Sequence, residues 1–175
     1  MSALTRFRAE IDDFMAYHHQ SPLEENQQRI FHGLNYYPEN KAMIFSVDVE
    51  RFPAGEKPME IQTSTGDRQL YQRWGRFTFI VEGQELALTI YVSPHGGGFF
   101  LPFKDKSNGQ ESYGAGRYLD DHRPGLTHLG NNRFRVDFNY AYNPYCAYSD
   151  YYSCPLPPAE NWLKVTIPAG EKSFK

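Results

Sequence analysis

The segment Tyr113-Gly114-Ala115-Gly116-Arg117-Tyr118 sets two glycines beside a guanidinium. Glycine lets a backbone approach a bound molecule closely, and a guanidinium grips a carboxylate or phosphate through paired hydrogen bonds. The pattern is not the dinucleotide-binding fingerprint, because a third glycine at the required spacing and a following helix are both missing. The same residues also suit a bulged strand, with the glycines making room for rings and Arg117 pairing with a structural carboxylate such as Asp137. Nearby, Lys104 offers a second cation for an anionic ligand. Asp105, Glu111, Asp137 and Glu160 supply carboxylates, and two of them in one cleft would divide acid and base work if their surroundings separated their pKa values. Asp137 and Glu111 are the candidate catalytic bases, with Arg117 stabilising developing negative charge. Asp137 alternates with Val136 and Phe138, so it points to solvent or into a ligand-holding interior. Capping of backbone amides is the plainer role for any of these carboxylates.

Tyr118, Tyr140, Tyr142 and Tyr148 offer flat faces with hydroxyl tips, a wall for an aromatic or sugar-like molecule or, equally, core with Asn139, Asn143 and Asn161 as hydroxyl partners. Cys146 and Cys154 are the only cysteines. They read as two packed free thiols, as a disulfide closing a short loop, or as part of a metal or catalytic site. No Cys-x-x-Cys or nearby histidine completes a zinc set. Asp120, Asp121, His122 and His128 match no metal motif, and Pro124-Gly125 between the histidines reads as an exposed turn. No metal is expected, and no particular cofactor is implied. His95 before Gly96-Gly97-Gly98 fits a mobile lid or a plain hairpin loop.

Positioning these residues falls to two kinds of element. Over residues 1–34, Phe7, Ile11, Phe14 and Met15 follow a period near 3.6, the mark of a helix. Ser21 caps a second helix with Pro22 at its first position and Glu24 completing the capping box, and Gly33 stops it. The expected helical hairpin turns at His18-His19-Gln20 and presents Phe14, Ile30 and Phe31 to a larger body. From residue 42 the period changes to two. Strands are expected around Ile44 and Val47 to Val49, then Met59 to Thr63, Phe77 to Val81, Leu86 to Val92, Phe99 to Phe103, Glu111 to Leu119, Arg133 to Asn139 and Trp162 to Ile167. Thr65-Gly66-Asp67, Glu82-Gly83-Gln84 and Ser107-Asn108-Gly109 supply tight reversals. The expected fold is mainly β (α+β), an antiparallel β barrel or closed sandwich with an N-terminal helical hairpin. A single domain over 1–175 is expected, with helices 1–34 packed on a β body 42–175.

Composition narrows the function classes. Aromatic residues make up 16% of the chain, enough to build the core on rings. A net charge of −3 lacks the positive field of a non-specific nucleic-acid binder. No apolar run approaches the roughly 18 residues of a membrane span, and the polar start, Met1 to Arg8, has no secretory character, so the cytoplasm is the expected location. The segment Tyr140 to Pro158 is too rich in proline for a central strand and too aromatic for a flexible loop.

Three blocks give this sequence a family likeness. The first runs from Phe103-Lys104-Asp105 through Gly109 to Tyr113-Gly114-Ala115-Gly116-Arg117-Tyr118-Leu119. The second is Asp137-Phe138-Asn139-Tyr140-Ala141-Tyr142-Asn143-Pro144 with Cys146-Ala147-Tyr148. The third is Cys154-Pro155-Leu156-Pro157-Pro158, Glu160-Asn161 and Ala169-Gly170-Glu171-Lys172. Together they resemble the prokaryotic family called domain of unknown function 1684, and looser likeness at Ser21-Pro22-Leu23, Gly33-Leu34 and Tyr36-Tyr37-Pro38 extends it over nearly the whole chain. Tyr145 and Ser112 depart from the family pattern, which usually has proline and threonine there. The resemblance implies an arrangement of residues and carries no activity or cofactor.

The reading that combines these features is a domain binding a small anionic or aromatic molecule in a pocket lined by Tyr113, Arg117, Tyr118, Asp137, Asn139 and Tyr142, with Lys104 and Arg117 at the anionic end. The alternatives are a hydrolase or lyase built on Asp137 or Glu111, and an interaction module using the Tyr and Pro loop 144–158, with a homodimer as its expected partner state.

Overall fold

The computed structural model describes residues 1–175. Its strands form two antiparallel sheets. The smaller has the order β1-β9-β8, with β1 Ile44–Asp48, β8 Leu126–Gly130 and β9 Arg133–Asp137. The larger runs β2-β4-β5-β6-β7, from β2 Glu50–Arg51 through β4 Arg68–Val81, β5 Gln84–Val92 and β6 Phe99–Phe103 to β7 Arg117–Asp120, and β3 Met59–Gln62 also pairs with β4. This strand order leaves free edges in both sheets, so the expected closed barrel is not formed. Alternation explains the shared core: Phe77, Phe79 and Val81 of β4 and Leu88 and Ile90 of β5 join Val47, Phe134 and Val136 of the smaller sheet in one buried cluster. Rings bridge the sheets edge to face, Phe45 on Phe79 at 5.1 Å and Phe99 on Phe134 at 5.0 Å between centroids.

The expected reversals at Gly66 and Gly83 join β3 to β4 and β4 to β5. Glu82 and Gly83 both have positive φ, the two-residue geometry whose twist matches the flanking strands. Ser107-Asn108-Gly109 is instead a turn inside a long loop, because Glu111 to Gly116 forms no strand and β7 begins only at Arg117. Trp162 to Ile167 likewise forms no regular strand, although Leu163, Val165 and Ile167 are buried in alternation. Its amides and carbonyls pair singly with Lys104 and Lys106. Pro124-Gly125, expected as an exposed turn, leads into β8, and Gly125 is buried where a Cβ would lie 2.5 Å from Leu119.

At the N terminus, α1 Ala3–Tyr17 forms as expected and buries Leu4 and Met15. The second helix, α2, spans only Glu25–Arg29 and is capped by Glu24, whose amide bonds to the Gln27 side chain at 2.9 Å. Ser21 does not cap it: its hydroxyl donates to the Met15 carbonyl at 2.7 Å and closes the end of α1 instead. Ile30 lies 74% exposed outside the expected apolar stripe, while Phe14 and Phe31 pack with Met15, Leu23 and Tyr148. No helix is long and apolar enough to cross a membrane.

Candidate functional site

Arg117 was expected at the mouth of a pocket. It is instead fully buried, 0% exposed. Its Nη1 donates to the carbonyls of Ala169 and, at 3.1 Å, Glu171; its Nη2 donates to the Ile167 carbonyl at 2.9 Å and to Asp105 Oδ1 at 3.4 Å. The fork therefore holds the strandless C-terminal segment against β7. The structural partner is Asp105 and not the expected Asp137. Asp105 Oδ2 also accepts the Ile167 amide at 2.7 Å, and both its oxygens lie 2.9 Å from the Ser107 hydroxyl. Burial pushes the guanidinium below its ordinary pKa, while the Asp105 charge opposes that shift. Gly116 sits beside this centre at φ +103°, where a Cβ would come 2.7 Å from the Phe103 carbonyl, so close packing explains this glycine.

The other expected site residues separate into two groups. Asp137 is buried, with Oδ1 accepting the Asn139 amide at 3.0 Å and the Asn139 side-chain NH₂ at 2.8 Å, and with Oδ2 3.2 Å from Arg135. Asn139 itself bonds both the amide and the carbonyl of Asn40, at 2.8 and 2.9 Å. This pair ties the 3-10 turn Phe138–Tyr140 to the chain before β1. Glu111 is exposed beside Lys172 at 3.9 Å. Lys104 lies over the Trp162 ring at 5.0 Å, and the Tyr113 hydroxyl faces Cys146 Sγ at 3.5 Å. None of these five side chains lines the cleft that Tyr118 and Tyr142 share.

That cleft follows from strand alternation. On β7, Arg117 and Leu119 face the core, while Tyr118 and Asp120 face the other side. Tyr142 pairs its backbone with Tyr118 through two hydrogen bonds of 2.9 and 3.1 Å, so the two rings stand together, 5.8 Å apart and edge to face. The Tyr142 hydroxyl donates to Asp120 Oδ2 and the Tyr118 hydroxyl to the Pro155 carbonyl. Burial, reinforced for Tyr142 by the Asp120 charge, raises both phenol pKa values, which keeps them as neutral donors. Asp120 Oδ1 accepts the amides of His122 and Arg123 at 3.0 and 3.2 Å, a local turn that folds Arg123 back over the Tyr142 ring at 3.7 Å. Hollows open on both sides of this trio. One, of about 250 Å³, is floored by Tyr71 and Phe100; the other, of about 350 Å³, is walled by Arg123, Tyr145, Tyr152 and Cys154. The cleft residues that sequence reasoning missed are Asp120, Arg123, Tyr145 and Tyr152.

A mainly β body of two antiparallel sheets with a tyrosine-lined cleft at the edge strand β7 defines the class of this molecule. The chain belongs to the family described as protein of unknown function DUF1684, whose model matches residues 29–172. It is similar to an uncharacterized protein of Haloarcula marismortui solved by solution NMR, at 32% identity and a TM-score of 0.71, with 97% of this chain and 91% of that chain covered. A search of curated proteins finds no match.

Proposed function

We propose that the protein binds a small molecule carrying both an aromatic ring and an anionic group, in the cleft between Tyr142, Tyr145 and Tyr152. The observation that carries this reading is Arg123, which lies over an aromatic ring at the cleft wall and forms no ion pair. A planar guanidinium with free donors beside tyrosine rings set edge to face recognises a carboxylate or phosphate in its plane and an aromatic face next to it. The cleft volume of about 350 Å³ suits a ligand of one or two rings. In this reading the two sheets are the layers of an open sandwich, and its far edge carries the site. Arg117 contributes by holding the C-terminal segment and does not touch the ligand.

The test is thermal unfolding of the protein with a panel of aryl carboxylates and aryl phosphates at millimolar concentration, followed by calorimetric titration of those that stabilise. A ligand at a hundred times its Kd adds about 2.7 kcal/mol, a rise of about 5–10 °C for a chain of this size. Arg123→Gln is expected to abolish that rise while the unliganded Tm stays within about 2 °C, as for a surface substitution. A panel with no stabilising member, or equal binding by Arg123→Gln, overturns the reading.

A further inference from the structure

Cys146 and Cys154 are both free, and they meet. The Cys146 amide donates to Cys154 Sγ at 3.3 Å, which sets the second sulfur against the backbone of the first cysteine. Each is fixed from outside the loop that joins them. The Cys154 amide donates to the Ser64 hydroxyl at 3.1 Å, and its carbonyl accepts the Ser64 amide at 2.9 Å. Cys146 Sγ faces the Tyr113 hydroxyl at 3.5 Å, and the residue lines a polar hollow of about 190 Å³ together with Asp150 and Lys175. Cys154 opens on the other side, at the wall of the tyrosine cleft. No cluster of three metal-ligating side chains includes them. The arrangement thus has a half-exposed cysteine whose sulfur faces one hydroxyl, and a buried cysteine whose sulfur lies against the backbone of the first, the layout of an attacking and a resolving thiol.

We propose that Cys146 and Cys154 form a redox-active dithiol that reacts with hydroperoxides and closes into an intramolecular disulfide. In the first step the Cys146 thiolate attacks one peroxide oxygen. The sulfur–oxygen bond forms, the oxygen–oxygen bond breaks, and the departing alkoxide or hydroxide takes up the proton that the Cys146 thiol released on ionising and leaves as alcohol or water. In the second step the Cys154 sulfur attacks the sulfenic sulfur of Cys146. The disulfide forms, and the sulfenic oxygen leaves as water with the Cys154 proton. The two thiols are oxidised by two electrons, and one hydroperoxide is reduced. Tyr113 is a positioning residue, its hydroxyl donating to the Cys146 thiolate and holding it in place for attack on the peroxide. The Cys154 sulfur leaves the cleft wall for the new bond, so oxidation reshapes that wall whatever the cleft binds.

The test treats the reduced full-length protein with one equivalent of hydrogen peroxide, blocks the remaining thiols with N-ethylmaleimide and maps the peptides without reduction. The expected product is a Cys146–Cys154 linkage within one chain, lighter by two hydrogens and with both thiols consumed. Cys154→Ser is expected to stop at a sulfenic acid on Cys146 that dimedone traps, and Cys146→Ser to react at least about tenfold more slowly. In the unsubstituted protein, which needs no variant to fold, limited alkylation is expected to label Cys146 at least about tenfold faster than Cys154. Tyr113→Phe is expected to slow the peroxide reaction with the Tm retained. Two thiols that still alkylate after peroxide, linkage only between chains, or equal labelling of the two cysteines overturns the proposal. These readouts do not involve Arg123 or any aryl ligand, so they fail independently of the cleft reading.

Discussion

Replacing Arg117 by Met tests whether this guanidinium is a structural clamp. Removal leaves Asp105 as a buried carboxylate without its cation, a loss of about 3–5 kcal/mol. The Ile167 carbonyl keeps the Ala169 amide as a donor at 2.9 Å, but the Ala169 and Glu171 carbonyls lose the Arg117 bonds, at about 1–3 kcal/mol each. Burial of the Met side chain returns about 1.5–3 kcal/mol. The net loss is about 5 kcal/mol, comparable with the whole stability of a marginal domain. Urea unfolding at 25 °C measures it, with Arg117→Lys as a folded comparison that keeps the charge and loses the fork. Adding Asp105→Asn to Arg117→Met removes the stranded charge and is expected to restore about 1–3 kcal/mol, the coupling of a contacting pair. Hydrogen exchange is expected to localise the loosening to residues 163–171. An Arg117→Met protein within about 0.5 kcal/mol of the parent, the range of an ordinary exposed substitution, refutes the clamp.

Gly116→Ala is expected to lower stability by about 1–3 kcal/mol, because it forces a positive-φ backbone on alanine and drives its Cβ to 2.7 Å from the Phe103 carbonyl; a Tm unchanged from the parent contradicts this. Glu171 is buried and accepts the Tyr148 hydroxyl at 2.5 Å and the Asn143 amide at 3.0 Å, and desolvation raises its pKa above the unfolded value. Its favourable contribution is therefore complete in acid, below the unfolded pKa, and is lost as pH rises through the folded one. Glu171→Gln is expected to be more stable than the parent at neutral pH and to lose that advantage below about pH 4, and parallel stability–pH curves for the two proteins rule the account out. Polar contacts, chiefly with Cys154, outweigh the burial of the Cys146 thiol and hold it below its ordinary value, at about 6. Its alkylation rate is expected to fall as pH drops through that value, whereas a midpoint near the ordinary 8.5 or so contradicts it.

The period-two segments were readable because each strand buries alternate residues in one shared core. Phe77, Phe79 and Val81, or Leu88 and Ile90, announce both the strand and its inner face. Trp162 to Ile167 shows the limit of that signal. Its alternation is real and its burial is correct, yet a ladder needs a partner backbone, and the neighbouring groups are met singly through Lys104, Lys106 and the Arg117 fork. Leu126 to Gly130 shows the opposite case: only Leu126 is buried, so an edge strand with four exposed residues left no apolar pattern. The second helix is capped at Glu24 and not at Ser21 because the serine belongs to the turn before it. The Ser21 hydroxyl donates to the Met15 carbonyl and accepts the Leu23 amide at 3.2 Å, so it closes the turn between the helices, and Glu24 with Gln27 forms the capping box instead.

For the cleft, the decisive signal was present and lay in parity. A strand points successive side chains to opposite faces, so Arg117 and Tyr118 on β7 cannot line one hollow. Leu119 is apolar and belongs to the core, which assigns Arg117 to the same interior face and Tyr118 with Asp120 to the other. That argument locates Asp120 from the sequence alone once the strand is accepted. It does not reach Arg123, which enters the cleft through a turn whose shape depends on Asp120 accepting two backbone amides. Nor does it reach Tyr145 and Tyr152, brought to the same wall from a loop with no regular period. The buried polar residues divide by the same logic. Arg117 and Asn139 satisfy backbone groups where the chain lacks a sheet partner, so their polarity serves the fold, whereas Arg123 forms no ion pair at an open wall, as the proposed ligand site requires.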